Sequence, residues 1–214
     1  MNSCATRSIE NRSAIVDVCR RLHERGYVAA TSGNVSVRAG KGFLITPTSM
    51  RKDMLNPEII VMCNASGISV NSEAKPSSEL RVHKLIYEQR ADVGAIIHAH
   101  PRFCLACSLL NVSLAELFLV DQATSLGPTV TVPFAVPGTD EVGNALSDHL
   151  HRYNSFILER HGVIVVGENL QCAYNRLEQL EHVASVAYLA SAAGNIESFC
   201  QEDLERLKDC LCGQ

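Results

Sequence analysis

Two histidines separated by a single residue, His98 and His100, close the apolar run VGAIIHAHP. The run is short, rich in β-branched residues and bounded by Gly94 and Pro101, which predicts a buried β-strand. Because alternate residues of a strand share one face, both imidazoles should point in the same direction. One buried histidine is usually a packed core residue, but two that converge at a strand end suit a divalent metal such as zinc.

A third histidine and a carboxylate strengthen the metal hypothesis. His161 and Gly162 interrupt the strand-like run in ERHGVIVVG, where a histidine is well placed to project into a pocket. The segment KPSSELRVH places Glu79 in the first turn of a helix that is predicted to begin, with a serine cap, at about Ser78. Three histidines and a carboxylate can form a zinc site, and if Glu79 can leave the metal, the site has an open position for substrate.

The other histidines and an isolated C-x-x-C pair are predicted to be structural. His83 lies one turn after Glu79 on the same helix face, where packing or support of a ligand is favoured over direct metal binding. Cys104 and Cys107 stand alone at helical spacing, which favours small core residues over a zinc or redox site. The histidines predicted to lie at the surface or to be structural are His23, His149, His151 and His182.

Three short stretches rich in hydroxyl and amide side chains lie where loops should meet helices or strands. They are TSGNVS (31–36), TPTS (46–49) and KPSSE (75–79). Hydroxyls, backbone N–H groups beside glycine and a helix N-terminus can together hold a phosphate. Each stretch alone would usually be an ordinary turn. Their occurrence together, with the third leading directly into Glu79, predicts an anion site beside the metal site.

Composition limits the class of protein. The chain has 214 residues, of which 46% are hydrophobic and 20% charged, with a formal net charge of −4. This length and composition predict one globular domain spanning residues 1–214. The weak negative charge gives no general attraction to nucleic acid or to an anionic membrane. No apolar run approaches the roughly 20 residues that span a bilayer, so neither kind of partner is expected.

The N-terminal residues and the cysteines predict a cytoplasmic protein. The first 27 residues lack the uninterrupted apolar segment of a secretory signal. The nine cysteines are odd in number and scattered through apolar segments, which favours reduced, mostly buried thiols over a disulfide framework.

The hydrophobic pattern mixes hairpins with helices rather than alternating them strictly. This mixture favours a mainly antiparallel sheet with helices on both sides. The predicted helices are 8–26, from about 78, 102–110, from the PGTDE turn to about 152, 170–187 and, weakly, 200–210. The predicted strands are 34–38, 42–47, 58–63, 67–71, 93–100 and 129–135, followed by two runs within 155–167.

Six segments occur in the order and spacing of one known family. From about residue 8 to 192 the chain resembles the class II aldolase/adducin family, through TSGNVSVR, FLITPTS, KPSSELRVH, AIIHAHP, VPGTDE and ERHGVIVVGENL. The resemblance implies an α/β fold with three layers, α/β/α, around a central, mostly antiparallel sheet. It also implies one zinc ion per chain and a homotetramer whose active sites lie between neighbouring subunits.

The resemblance assigns roles to individual residues. His98, His100 and His161 match the family's zinc ligands, and Glu79 matches the catalytic acid/base that also ligates zinc when substrate is absent. The residues that fall on the family's phosphate-binding loops are Ser32, Gly33, Asn34, Thr48, Ser49, Ser77 and Ser78.

One position departs from the pattern of the family's aldolases. Those enzymes carry a tyrosine, which protonates the aldehyde oxygen, where this chain has Leu119. The C-terminal segment ERLKDCLCGQ also lacks the tyrosine that some members contribute to a neighbouring subunit. The polar residues near Leu119 that could replace this acid are Asp121, Gln122 and Thr124.

The reaction that the resemblance favours is an aldol cleavage. A ketose or deoxyketose 1-phosphate, such as L-fuculose 1-phosphate, would be cleaved reversibly to dihydroxyacetone phosphate and an aldehyde. Three alternatives stay open. A metal-dependent decarboxylase of a 3-oxo-acid (tetronate) phosphate would have lysine in place of Ser78, and a ketopentose-phosphate 4-epimerase would have aspartate in place of Glu79. A non-catalytic adducin-like interaction domain would lack the three histidines.

Overall fold

In the computed structural model, which describes residues 2–70, 73–194 and 196–212 and the side chains of 8–70, 73–194 and 196–207, seven strands form one sheet. The strands are β1 (Asn34–Ala39), β2 (Gly42–Ile45), β3 (Val61–Cys63), β4 (Ala95–Ala99), β5 (Thr129–Val132), β6 (Ser155–Leu158) and β7 (Gly162–Gly167). Their order across the sheet is β3-β2-β1-β4-β7-β6-β5. The pair β5–β6 is parallel and the other five pairs are antiparallel, so the predicted mostly antiparallel sheet is confirmed.

The central strand β4 carries the H-x-H motif between two antiparallel neighbours. Asn34 of β1 lies opposite His98, and Ile164 of β7 lies opposite it on the other side. This register brings the loop before β1 and the turn before β7 to the same end of β4. Residues from three distant parts of the chain therefore meet where β4 ends.

Six helices among the described residues accompany the sheet. They are α1 (Asn2–Glu24), α2 (Leu80–Gln89), α3 (Arg102–Leu110), α4 (Asp140–Ser147), α5 (Leu170–Ala193) and α6 (Gln201–Cys212). The predicted tail helix is therefore present as α6. No described helix combines the length and the apolar character needed to cross a membrane.

Alternate residues of the strands pack into two separate hydrophobic cores. On one face, Ile97 and Ala99 of β4 pack in a cluster with apolar side chains of α1, α3 and α5. On the other face, Ile96 packs in a cluster with apolar side chains of α2 and α4. The predicted three-layer α/β/α arrangement is confirmed. The period-2 burial of the strands is its physical basis, because each face of the sheet is covered by helices.

Four strands are shorter than the sequence predicted, and among them β2 ends at Ile45 instead of residue 47 and β4 spans Ala95–Ala99 instead of 93–100. The strand predicted to start at residue 58 starts at Val61, because residues 57–59 form a short 3-10 turn whose first N–H groups are accepted by Asn56 Oδ1. The strand predicted to run to residue 135 ends at Val132, before Pro133, which has no N–H to donate to a strand ladder. The second half of the predicted hairpin, 67–71, makes a single bridge from Ser69 to Cys63, and residue 71 lies outside the described residues.

The helices α2 and α4 also differ at one end. α2 begins at Leu80, two residues later than predicted, and its serine contact comes from Ser77, whose Oγ accepts from the Glu79 N–H at 3.3 Å. α4 ends at Ser147 and not near residue 152, because the N–H groups of His149 and Arg152 bond to carbonyls three residues back. These tighter turns bury Leu150 against the sheet.

Candidate metal and anion site

Four predicted site residues meet at the end of β4. His98 is in the strand, His100 lies just beyond its end, His161 lies in the turn before β7, and Glu79 is the last residue before α2. The Nε2 atom of His98 is 3.1 Å from His100 Nε2 and 3.1 Å from Glu79 Oε2. His161 Nε2 is 3.5 Å from Glu79 Oε1. One nitrogen from each of the three imidazoles lies within 4.8 Å of the others, a spacing at which a single ion could be held.

Gly162 makes room for this cluster. A Cβ atom at this position would lie 2.5 Å from Cδ2 of His100 and 3.2 Å from Cε1 of His98. Any other residue would therefore displace the two imidazoles. The preceding Arg160 has a φ of 58°, a left-handed conformation that turns the chain so that His161 faces the cluster.

Burial favours the neutral form of the three imidazoles, and a hydrogen bond fixes the tautomer of His98. His98 Nδ1 donates to the Val163 carbonyl at 2.9 Å, which leaves the Nε2 lone pair facing the cluster. Burial, together with the neighbouring His161, lowers the pKa of His98 to about 3. Burial, together with His98, lowers the pKa of His100 to about 3, and burial also lowers the pKa of His161. Neutral imidazoles are the form in which histidine binds metals.

The donor set fits a divalent cation. The unprotonated Nε2 of His98 lies 3.1 Å from a carboxylate oxygen of Glu79, and both atoms are hydrogen-bond acceptors. Two acceptors at this distance repel each other unless a cation lies between them. Three neutral imidazoles with one carboxylate are ligands that suit zinc and related first-row metals.

A buried chain of hydrogen bonds lies behind Glu79. Asn34 Nδ2 donates to Glu79 Oε2 at 2.6 Å, and Asn34 Oδ1 accepts from Nε2 of His83 at 2.5 Å. Nδ1 of His83 accepts from Ser36 Oγ at 2.7 Å, and Ser36 Oγ in turn lies 2.8 Å from Tyr87 OH. His83 therefore does not belong to the group of three histidines, and burial lowers its pKa to about 3. This series of hydrogen bonds fixes which end of the Asn34 amide faces Glu79.

The predicted anion-binding residues line the same cavity as the histidines. This cavity has a volume of about 280 Å³ and is lined by Glu79, by the three histidines and by all seven predicted residues: Ser32, Gly33, Asn34, Thr48, Ser49, Ser77 and Ser78. The structure thus brings together all the residues predicted for metal binding and for phosphate binding. Pro137 and Gly138, from the VPGTDE segment, complete one wall.

Backbone geometry holds the three hydroxyl-rich loops together. Thr48 N donates to the Lys75 carbonyl at 3.0 Å, and Ser77 N donates to the Thr46 carbonyl at 3.1 Å, which joins the second loop to the third. Gly33 has a φ of +72°, and a Cβ there would lie 2.8 Å from the carbonyl oxygen of His98. The first loop therefore packs directly against the strand that carries the histidines.

Lys52 also lines this cavity, although no sequence pattern pointed to it. Its side chain is only 2% exposed, and Nζ donates to the carbonyls of Thr31 and Met50, both at 2.9 Å. In the sequence it belongs to the charged stretch MRKDM, which has the composition of a solvated turn. Its burial depends on the loop at Thr31, which lies 21 residues earlier in the chain.

Comparison with known proteins agrees with this geometry. Residues 13–188 match the family described as Class II Aldolase and Adducin N-terminal domain. The chain belongs to the class II aldolase/adducin family. The resemblance inferred from the six segments is therefore confirmed.

Several proteins similar to this class II aldolase-family chain have names that describe a reaction. An L-fuculose phosphate aldolase of Methanococcus maripaludis is 33% identical over 174 residues, which are 81% of this chain and 94% of that protein. The L-fuculose phosphate aldolase of Escherichia coli K12 is 33% identical over 180 residues, 84% of this chain and 82% of that protein. The crystal structure of YgbL from Klebsiella pneumoniae, a putative aldolase/epimerase/decarboxylase, has a TM-score of 0.86 at 27% identity, covering 94% of this chain and 98% of that one.

The segment around Leu119 lies outside the cavity of this class II aldolase-family chain. Leu119 packs against the apolar cluster on the α1, α3 and α5 face. The side chain of Gln122 is buried and bonded to the backbone of Leu114, Glu116 and Phe118. Neither of these residues lines the cavity, and neither do Asp121 and Thr124. Residues 122–126 form a π-helical turn that the sequence pattern did not indicate.

The C-x-x-C pair does not contribute to the site. Cys104 and Cys107 are free, buried thiols on α3, and Cys107 Sγ contacts the Ala184 carbonyl of α5 at 3.4 Å. Burial raises the pKa of Cys107 to about 11, so the thiol is neutral at physiological pH. Both residues pack as small core side chains, as the isolated motif predicted.

Proposed function

We propose that this protein is a zinc-dependent class II aldolase. It reversibly cleaves a ketose or deoxyketose 1-phosphate, such as L-fuculose 1-phosphate, to dihydroxyacetone phosphate and an aldehyde. The observation that carries the proposal is one cavity in which three neutral imidazoles and a carboxylate face three hydroxyl-rich loops. A metal site beside an anion site is the arrangement needed to bind a phosphorylated sugar by both of its ends. The two L-fuculose phosphate aldolases at 33% identity support the same reaction.

The proposed ligands are His98, His100 and His161, with Glu79 as the fourth group when substrate is absent. When bound, zinc supplies a Lewis acid that stabilises the negative charge developing on the substrate's oxygen atoms. The Val163 carbonyl holds the ring of His98 in the tautomer whose Nε2 is free to coordinate.

Glu79 is the proposed acid/base. In the cleavage direction it gives a proton to the carbon that has lost its bond to the aldehyde, and in synthesis it removes that proton. Asn34 holds Oε2 of the carboxylate, so the side chain has a fixed anchor while Oε1 remains directed toward His161. The hydroxyl-rich loops fix the phosphate, which aligns the bond to be cleaved with the metal.

The proton step can be tested separately from the choice of aldehyde. Zinc-loaded protein should exchange one hydrogen of dihydroxyacetone phosphate with solvent deuterium in the absence of any aldehyde. The aldehyde is then identified by screening ketose 1-phosphates for cleavage. If zinc-loaded protein neither exchanges nor cleaves, the aldolase proposal fails.

A decarboxylase is the second candidate, favoured by the similarity to YgbL, whose name includes decarboxylase. The same metal site would stabilise the charge left when a 3-oxo-acid phosphate loses carbon dioxide. The side chain at position 78, where this chain has serine, lines the cavity and distinguishes this candidate from the aldolase. Release of carbon dioxide from a 3-oxo-tetronate phosphate, without deuterium exchange, would select it. The 4-epimerase and the non-catalytic adducin-like domain are less well supported, because Glu79 and all three histidines are present.

We also propose that the whole chain is one domain that acts in the cytoplasm as a homotetramer with active sites between subunits. Phe134 is 58% exposed, and Val136 is exposed beside Pro137 and Gly138, which line the cavity. A neighbouring subunit that covered these side chains would reach the site and could supply the acid missing at Leu119. Light scattering of the purified protein measures the number of subunits.

A further inference from the structure

Lys52 is a buried cation that has no carboxylate partner among the residues that the structure describes. Its side chain is 2% exposed, and none of the ion pairs among the described residues includes it. A lysine is almost never this deeply buried unless it is paired, because removing an ammonium group from water is costly. An anion bound in the cavity would supply the ion pair that Lys52 lacks among the described residues.

The contacts of the ammonium group satisfy it only in part. Nζ donates to the carbonyls of Thr31 and Met50, at 2.9 Å each. A lysine ammonium has three donors, and within the described residues no acceptor is recorded for the third. Carbonyl oxygens accept hydrogen bonds but carry no net charge. The positive charge is solvated by dipoles and remains available to an anion.

The position of Lys52 indicates which anion this is. Thr31 belongs to the first hydroxyl-rich loop, and Met50 directly follows the second, so Nζ lies between the two loops. Apart from the histidines, the ionisable residues that line the cavity are Glu79 and Lys52. The cation and the hydroxyl donors thus line the same small cavity.

We propose that Lys52 forms an ion pair with the phosphate of the substrate, so that the site selects phosphate monoesters over neutral sugars. The identity of the sugar rests on the proposed function, whereas the binding of an anion to Lys52 does not. A phosphate monoester carries about 1.5 to 2 negative charges at pH 7, more than neutral hydroxyl donors can balance. Hydrogen bonds to charged groups are also stronger than those between neutral ones.

Inorganic phosphate is the probe, because it needs no assumption about the sugar. Its dissociation constant is measured by calorimetry on the full chain for the wild type, Lys52→Gln and Lys52→Arg. Lys52→Gln keeps N–H donors for the two carbonyls but removes the charge, and Lys52→Arg keeps the charge. We expect Lys52→Gln to bind phosphate about tenfold or more weakly, the scale of a hydrogen bond to a charged group, and Lys52→Arg to lose less.

Thermal unfolding separates the charge from a purely structural role. Phosphate should raise the melting temperature of the wild type, and this rise should disappear in Lys52→Gln. In phosphate-free buffer, Lys52→Gln should melt no lower than the wild type, because it removes a buried, unpaired cation. A lower melting temperature with an undiminished response to phosphate would assign Lys52 to holding the loops and overturn the proposal. Lys52→Met provides the same comparison if Lys52→Gln does not fold.

The reaction gives a second, independent readout. With a cleavable ketose phosphate, Lys52→Gln should raise KM by about tenfold or more while changing kcat less, since the phosphate is bound before and during the reaction. Equal binding of phosphate by the wild type and a folded Lys52→Gln protein would disprove the ion pair. If phosphate binding depends on Lys52 but no ketose phosphate is cleaved, the result supports the anion site and rules out the proposed aldolase reaction.

Discussion

Asn34 donates a hydrogen bond from Nδ2 to Oε2 of Glu79 across 2.6 Å, and the other end of the same amide accepts from His83. Because Nδ2 faces an acceptor, Oδ1 must face a donor, so His83 carries its proton on Nε2. His83 is completely buried, and its other nitrogen accepts from Ser36. The proposed acid/base is therefore oriented by a histidine that touches neither the metal ligands nor the cavity.

Removing the donor at position 83 should lower turnover without removing the metal. In His83→Phe nothing fixes the amide of Asn34, and its oxygen can rotate to face the carboxylate of Glu79. We expect kcat for proton exchange to fall about tenfold, the scale of one hydrogen bond to a charged group, with little change in KM. Parallel metal analysis should give the wild-type content.

His83→Gln is the matched control, because its amide can donate to Asn34 from a position close to Nε2. Partial recovery of kcat in this variant, relative to His83→Phe, would indicate positioning of Asn34. Equal losses in the two variants, with equal melting temperatures, would argue that His83 has no effect on Glu79 through the amide.

The buried, neutral His83 should also make stability depend on pH. Burial lowers its pKa from 6.5 to about 3, so below pH 6.5 the unfolded chain binds a proton that the folded protein does not. The contribution to stability is fully present above pH 6.5. It is lost as pH falls toward 3, at up to about 1.4 kcal/mol per pH unit.

Urea unfolding of metal-free protein between pH 7 and pH 4.5 measures this effect. Relative to His83→Gln, which has no titrating ring, the wild type should lose free energy of unfolding as the pH falls. A difference that stays constant over this range would mean that His83 is protonated in the folded protein or is not buried.

Gly162 should be required for the geometry of the metal cluster. In Gly162→Ala the new Cβ would lie 2.5 Å from Cδ2 of His100 and 2.5 Å from the Ala99 carbonyl oxygen, so the rings or the strand must shift. Overpacking of this kind costs about 1–3 kcal/mol of stability. We expect weaker zinc binding and a lower melting temperature, measured by metal competition and calorimetry.

Gly40→Ala is a suitable comparison for that variant. A Cβ there meets no atom within 4 Å, although its φ of +58° makes the substitution somewhat strained. It should leave zinc affinity unchanged.

His161→Ala should remove most of the zinc, and near-stoichiometric zinc in that variant would exclude His161 as a ligand.

Glu79→Gln should separate proton transfer from metal binding. The amide can still accept at one end, and the three histidines remain, so much of the metal should be retained. Loss of a positioned acid/base lowers rates by about 10²-fold or more. Deuterium exchange into dihydroxyacetone phosphate measures the step directly. Exchange at the wild-type rate would show that another group moves the proton.

Local patterns and the family segments predicted the layers, the sheet and the residues of the proposed site. Period-2 burial placed Ile96 and His98 on one face of β4 and Ile97 on the other, because side-chain direction in a strand depends only on position along it. The six family segments placed Glu79, the three histidines and the seven loop residues in one cavity, which the structure forms. The boundaries of β5 and α4 were less well predicted, since turn geometry and the burial of Leu150 determine where they end.

The contacts that support those residues depend on packing between distant parts of the chain. The burial of Lys52 depends on a carbonyl 21 residues away, and the bonds of Asn34 join it to residues 45 and 49 positions later. No local sequence pattern indicates either relationship. A lysine exposed to solvent and a buried lysine, for example, can occur in the same sequence context. The charge of the proposed anion site and the orientation of the proposed acid/base arise from long-range contacts, which exist only once the strands and loops have packed together.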